Sequence, residues 1–474
     1  MREALFFMRF CLYNGSRDAA AGRWKNREGK EMPRTPIITD MKVIPVAGYD
    51  SMLLSRSGAH APYFTRNLVI LTDSGGNTGL GEVHGGQRYQ KILEAQADAV
   101  IGSESGVWRK TMERIRGSIY GKRRATGGYE RVKTDAVAPE CAIESALLDL
   151  CGKHAGLPVC ELIGAGKQRD EVVVLGYLFF AADKDKAGEM AYIDESGSRD
   201  AWYRLRRQEM MTPERIVQQA KAVREKYGMK DFKLKGGVLR GEEEADAVRA
   251  LKEAFPDARI NLDPNCAWSL DEAVRLCLEI KPYITYIEDP CHADGDYSER
   301  ETMAEFKMAT GIPVATNMIV TDWRQLHHGV SLRAFDIVLA DVHFWGLDGS
   351  ARCGQLLADW GLTWGGHSNN HYDISLAMYA HAAAACPGEI NSMDTHWIWQ
   401  EGQELCGDAM IIKDGKIKIP DKPGLGVTID MDRVAKANEL YNNLPFFDRN
   451  DAVGMQYLIP GWSFDTNRPC MVRD

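Results

Sequence analysis

The sequence lacks any apolar run approaching the ~18 residues of a membrane span. Its one early hydrophobic stretch, ALFFMRFCLY, is broken by Arg9 and followed by no small-residue cleavage site. Neither a membrane segment nor a signal peptide is expected. Positive charge is in deficit: 58 Lys and Arg stand against 67 Asp and Glu, a formal charge of −9. That excludes the basic face of a general nucleic-acid or anionic-membrane binder. A local basic pocket for a small anion stays open, because net charge says nothing about one pocket. Cysteine is sparse, eleven in 474 residues, and no C-x-x-C pair occurs. Neither a zinc ribbon nor a dithiol redox motif is supported, and reduced thiols in a cytoplasm are expected. The glycines up to Gly81 do not spell G-x-x-x-x-G-K-[ST], so that run reads as a hairpin turn rather than a phosphate loop.

What remains is ordinary globular composition, 45 % hydrophobic and 26 % charged. The length suits two or three domains, or one large barrel with an extra domain. Residues 1–35 read as a flexible extension. Residues 36–165 read as an α+β domain, a small antiparallel sheet followed mainly by helix. Residues 166–400 carry the repeat described next. Residues 401–474 leave that repeat and are expected to return to the N-terminal domain.

The repeat can be measured. EVVVLGYLFF reads as a strand buried on both faces. Thr212, Pro213 and Gly228 punctuate a helix, and DFKLKGG follows as a strand. Polar residues close successive strands at Lys235, Asp263, Glu288, Asn317, Asp341, His367 and Asp394, at intervals of 28, 25, 29, 24, 26 and 27. One βα unit takes about that many residues. With EVVVLGYLFF first, eight parallel strands result. The predicted fold class is α/β, a (β/α)8-type barrel whose active site lies at the C-terminal strand ends. A doubly wound sheet would concentrate polar residues at one switch point instead.

These strand ends carry the chemistry. Alternation puts Lys233 and Lys235 on one face of their strand. A charged pair facing a barrel interior is costly unless it works in a site. Mutual repulsion would depress both ammonium pKa values, which suits a base. Asp263, Glu288 and Asn317 offer three oxygen ligands from successive strands, the preference of Mg2+. Asp341 and His367 close neighbouring strands, where the carboxylate could orient the imidazole. A Lys base, Mg2+ and a His base form an arrangement used with enediolates in the enolase superfamily.

At this point the sequence resembles the glucarate dehydratases of that superfamily, from about residue 37 to the C-terminus. The resemblance is carried by GAHAPYFTRN, LGYLFF, DFKLKGGVL, LDPNCAWSL, IEDPC, VATNMIVTDWRQ, ADVHFWG, LTWGGHSNNHYDISLAM, DTHWIWQEG and GMQYLIPGW. It implies Lys235 as the lysine base and Lys233 as its partner at the substrate carboxylate. It implies Asp263, Glu288 and Asn317 as magnesium ligands, with His367 as a second base paired with Asp341. His60, Tyr177, Lys233, Asn265, Asn317, His367, Ser368, Asn369, His396 and Arg449 would hold the acid sugar. The implied reaction is β-elimination of water from an aldarate dianion through an enediolate, giving 5-keto-4-deoxy-glucarate. The N-terminal domain and C-terminal segment would cap the barrel mouth. The rival reading is a dehydratase or epimerase for another acid sugar of the superfamily, and a homo-oligomer is compatible with either. The sequence departs from the family at Cys266, where glycine is usual, at Val342, where proline is usual, at His292 to Asp294, and along 122–140.

Overall fold

Alternating apolar residues and one tight turn build the first sheet. β3 (Ile38–Tyr49), β6 (Tyr63–Asp73) and β7 (Thr78–His84) run antiparallel in that order. The pair β4 (Leu54–Ser55) and β5 (Gly58–Ala59) lies between the first two in sequence. Asp73 closes the turn, its Oδ1 accepting the amides of Gly75 and Asn77 at 2.8 and 2.9 Å. The glycines beyond the turn have a second use. The helix Cys141–Ala155 lies so close to β7 that a Cβ on Gly81 would sit 1.8 Å from the Ala142 carbonyl oxygen.

The chain is described here from a computed structural model over residues 15–18, 23–26, 34–121, 136–188, 190 and 192–473. Most of the predicted extension, and residues 122–135 of the 122–140 departure, lie outside the described residues. Within the extension, β1 (Gly15–Asp18) pairs with β2 (Arg23–Asn26). Among the described residues no helix is long and apolar enough to cross a membrane.

EVVVLGYLFF is two strands rather than one. β8 (Glu171–Val173) and β9 (Gly176–Phe179) belong to different sheets. Glu171 and Val173 are exposed on either side of buried Val172. That alternation suits a half-covered antiparallel strand. From β9 the predicted repeat is present: β10 (Asp231–Lys235), β11 (Arg259–Asp263), β12 (Tyr286–Glu288), β13 (Val314–Thr316), β14 (Ile337–Leu339) and β15 (Thr363–Gly365) form one parallel sheet with β9 in chain order. The eighth position is irregular. Residues 390–394 bridge to both ends of that run, Ile390 beside Trp364 and Met393 beside Val174. The fold is a (β/α)8-type barrel with an N-terminal capping domain.

Helix punctuation follows the sequence. Thr212 caps Pro213–Tyr227, which ends at Gly228 in the left-handed region. The C-terminal segment divides. β17 (Lys416–Lys418) pairs with β8 at the barrel, not with the N-terminal sheet, and β16 (Ile412–Lys413) pairs with the outer edge of β17. The helix Met431–Asn443 returns to β3, where Asn438 Nδ2 donates to the Pro45 carbonyl at 2.7 Å.

Candidate active site

The parallel register sets the centre of the site. Lys235 and Asp263 are direct neighbours across β10 and β11, and Lys235 Nζ donates to Asp263 Oδ2 at 2.6 Å. Two residues deeper, Lys233 Nζ donates to Glu288 Oε2 at 2.9 Å and to Asp394 Oδ2 at 2.5 Å. The Tyr177 ring, on β9, lies 4.2 Å from the same ammonium. Phe232 and Leu234, which alternate with the lysines, are buried on the other side of the strand, Phe232 against Phe255.

Burial alone would push both ammonium groups toward neutrality. The carboxylates outweigh it: Asp394 and Glu288 hold Lys233 well above its ordinary value, and Asp263 raises Lys235. The predicted mutual depression of the two lysines is therefore overruled by their ion pairs. Glu288 is pushed well above the carboxylate range by burial and by Asp263. The donor set fits a hard cation: two fully buried carboxylates and an amide oxygen from adjacent strands. The Asn317 amide can be placed in two orientations, which differ by exchange of its O and N. In one its oxygen faces only acceptors, which a cation between them would reconcile. In the other Nδ2 donates to Glu288 Oε1 and Asp289 Oδ2, each at 3.1 Å, and Oδ1 accepts from His367 Nε2 at 3.2 Å. Among the described residues no group of three or more His, Cys, Asp or Glu forms a metal cluster. The predicted set contains only two such residues, the third ligand being an amide.

Across the barrel, His367 Nδ1 lies 3.0 Å from Asp341 Oδ2. Asp341 Oδ1 accepts Tyr379 Oη at 3.0 Å and the His343 amide at 2.8 Å. Burial would raise the Asp341 carboxyl, but these donors and the two imidazoles hold it well below its usual range. The dyad is thus fixed with the carboxylate ionised and His367 Nε2 turned inward.

A cavity of about 200 Å³ joins these walls. Lys235, Asn265, Asn317, His367, Asn369, His396, Tyr177, His60 and Arg449, all singled out in the sequence, line it, with Ser57, Phe179, Met318 and Phe344 among residues the sequence did not single out. Of the residues predicted to hold the substrate, two do not line it, and the predicted Asp263, Glu288 and Asp341 lie behind its wall. Lys233 is fully buried beneath, and Ser368 Oγ is turned to accept the His396 amide at 3.0 Å. Two partners behind the wall were missed. Asp50 faces His60 Nδ1 at 3.4 Å, and Asp451 holds Arg449 by two bonds of 2.6 Å. No motif marks them, although each lies near its partner in sequence, Asp451 two residues from Arg449 and Asp50 ten from His60. Asn265 and Cys266, at φ 60° and 57°, sit in the left-handed region directly after β11.

Residues 215–433 match the Enolase C-terminal domain-like family. A probable glucarate dehydratase of Streptomyces coelicolor is 33 % identical over 445 residues, covering 91 % of this chain and 98 % of that protein. The chain belongs to the glucarate dehydratase family of the enolase superfamily. Solved structures agree. An enolase from Thermobispora bispora complexed with magnesium and formate has a TM-score of 0.80 at 33 % identity, covering 92 % of this chain and all of that one. An enolase from Pseudomonas fluorescens with bound magnesium, potassium and tartrate has a TM-score of 0.79 at 33 % identity, covering 92 % and 99 %. Members of this family are dehydratases, and this chain is an enzyme of that type.

Proposed function

We propose that the enzyme removes water from an aldarate dianion, D-glucarate or L-idarate, to give 5-keto-4-deoxy-glucarate, and that it works in the cytoplasm with Mg2+. The observation that supports this best is the pair of proton-transfer groups on opposed barrel walls. Lys235 ends β10 and His367 follows β15, and both face one cavity whose other wall carries His60 and Arg449. Asp263, Glu288 and Asn317 would hold the magnesium ion, which supplies positive charge beside a substrate carboxylate. Lys235 becomes a base only when the charge of Asp263 is engaged elsewhere, as it is when that carboxylate holds a cation. Its Nζ then takes the proton next to the carboxylate, leaving an enediolate. His367, oriented by Asp341, gives its Nε2 proton to the departing hydroxyl, so that water leaves. With the opposite epimer His367 takes the proton instead. Arg449 and His60 supply the donors for the second carboxylate.

Turnover of D-glucarate, L-idarate and galactarate with Mg2+, against an EDTA control, tests the reading. Loss of turnover in chelator is expected, and full activity without metal would overturn it. The two bases separate by isotope exchange. Lys235→Ala should stop deuterium exchange with D-glucarate and His367→Ala with L-idarate, with elimination slowed ~10²–10⁴-fold where the acid is lost. Equal loss with both epimers in both variants would leave one residue as a mere binder. A different acid sugar is the second reading. It is favoured by Cys266, whose side chain stands in left-handed backbone next to cavity-lining Asn265, where the family usually has glycine.

A further inference from the structure

Beneath the cavity lies a buried lattice of five charges. Lys235 pairs with Asp263, and Lys233 bridges Glu288 to Asp394. Asp394 stands at the barrel's irregular eighth position, 1 % exposed. Its Oδ2 meets Lys233, while its buried Oδ1 has no hydrogen-bond partner. The neighbouring Asp289 is no part of this lattice: it accepts Thr316 Oγ1 and the Asn317 and Met318 amides.

We propose that Asp394 is a positioning residue whose charge lets the site accept a divalent cation. The inference rests on the metal reading above and goes beyond it. Metal ligands must be ionised to bind. Without Asp394, two ammonium groups would offset the two ligand carboxylates. A divalent ion would then enter a neutral, fully buried site and leave two positive charges uncompensated, which a water-poor interior opposes. With Asp394, and with Glu288 ionised as metal binding requires, the lattice carries one excess negative charge. Metal entry leaves one positive charge, and a substrate carboxylate cancels it. Asp394 also gives the Lys233 ammonium a partner other than Glu288, freeing that carboxylate to turn toward a metal.

The test uses the full-length protein and Mn2+ as an EPR-visible probe, so that affinity is read independently of turnover. Asp394→Asn is near-isosteric and should weaken Mn2+ binding about 10- to 100-fold, the usual cost of losing a group behind the ligands. Lys233→Met/Asp394→Asn removes the buried pair together and restores the excess charge, so it should recover most of that loss. The double variant also guards against failure of the single one to fold, which near-UV circular dichroism reports. Wild-type affinity in Asp394→Asn, or no recovery in the double variant, overturns the inference. Asp263→Asn is the control. If it loses Mn2+ while Asp394→Asn does not, the metal reading stands and only the role of Asp394 falls. If wild type and Asp263→Asn bind alike, the metal reading falls and this inference with it.

Discussion

Asp50 shows how much of the site depends on groups that never touch the cavity. Its fully buried carboxylate accepts from Asn370 Nδ2, Gln400 Nε2 and the Ser51 amide, and lies against His60 Nδ1. Burial opposes its charge, yet His60 and Arg207 keep it below its usual range. Every neighbour is a donor, so Asp50→Asn turns an amide N–H toward donors. Such a mismatch costs about 1–3 kcal/mol in a buried site. We expect that loss in denaturant titration, together with a raised KM for the diacid, because the His60 ring loses its orienting partner. Unchanged KM would show that His60 is held by packing alone. The residues legible in sequence were those that interrupt an apolar strand, such as Lys235, Asp263 and Glu288. Asp50 and Tyr379 were not, because a carboxylate before a short loop and a tyrosine inside a helix look like ordinary surface and core.

At the scale of elements, spacing located the strands but not their partners. The even intervals between strand ends fixed the barrel, since a βα unit has a narrow range of lengths. The break inside EVVVLGYLFF was hidden because its two halves share one apolar composition, and only pairing with β17 separates them. Element packing also leaves a measurable pH dependence. His381, in the helix Asp373–Ala384, accepts the Cys160 amide at Nδ1 (3.3 Å) and lies with Nε2 3.1 Å from the Leu425 carbonyl. Only the neutral Nε2–H tautomer satisfies both; protonation would set an Nδ1–H against the Cys160 N–H. Burial accordingly lowers this imidazole from 6.5 to about 4. The unfolded chain binds the proton more readily, so the stabilisation is present above pH 6.5 and is lost as pH falls toward 4. Its size is about 3 kcal/mol at ~1.4 kcal/mol per pH unit. Urea titrations at pH 7 and pH 5 should show a smaller drop in His381→Gln than in wild type. An equal drop would place the acid sensitivity elsewhere.

At the scale of the whole molecule, the cavity is built from three stretches far apart in sequence. His60 comes from the N-terminal domain, Lys235 and His367 from the barrel, and Arg449 from the segment after the helix Met431–Asn443. None of these regions encloses the cavity alone, so the proposed diacid would tie them together. Arg449 is the strongest link. Its guanidinium is clamped by Asp451, whose carboxyl is raised by burial but brought down to about 2 by Arg449. Ser57, beside His60, donates to the same carboxylate at 2.5 Å. The clamp fixes the planar fork, so that its free edge would meet the second carboxylate of the proposed substrate with two parallel bonds, which lysine cannot imitate. Arg449→Lys keeps the charge and loses the fork. A hydrogen bond to a charged group contributes about 1.5–3 kcal/mol, so KM for a diacid should rise roughly 10- to 100-fold while kcat changes less. A monoacid analogue lacking the second carboxylate should not distinguish the two proteins. The same variant should lose the rise in thermal midpoint that glucarate gives wild type, since that rise measures binding to the folded state. If Arg449→Lys instead lowers kcat with an unchanged KM, or discriminates equally against the monoacid, Arg449 does not read the second carboxylate. The three-part assembly would then enclose the substrate without reading its far end.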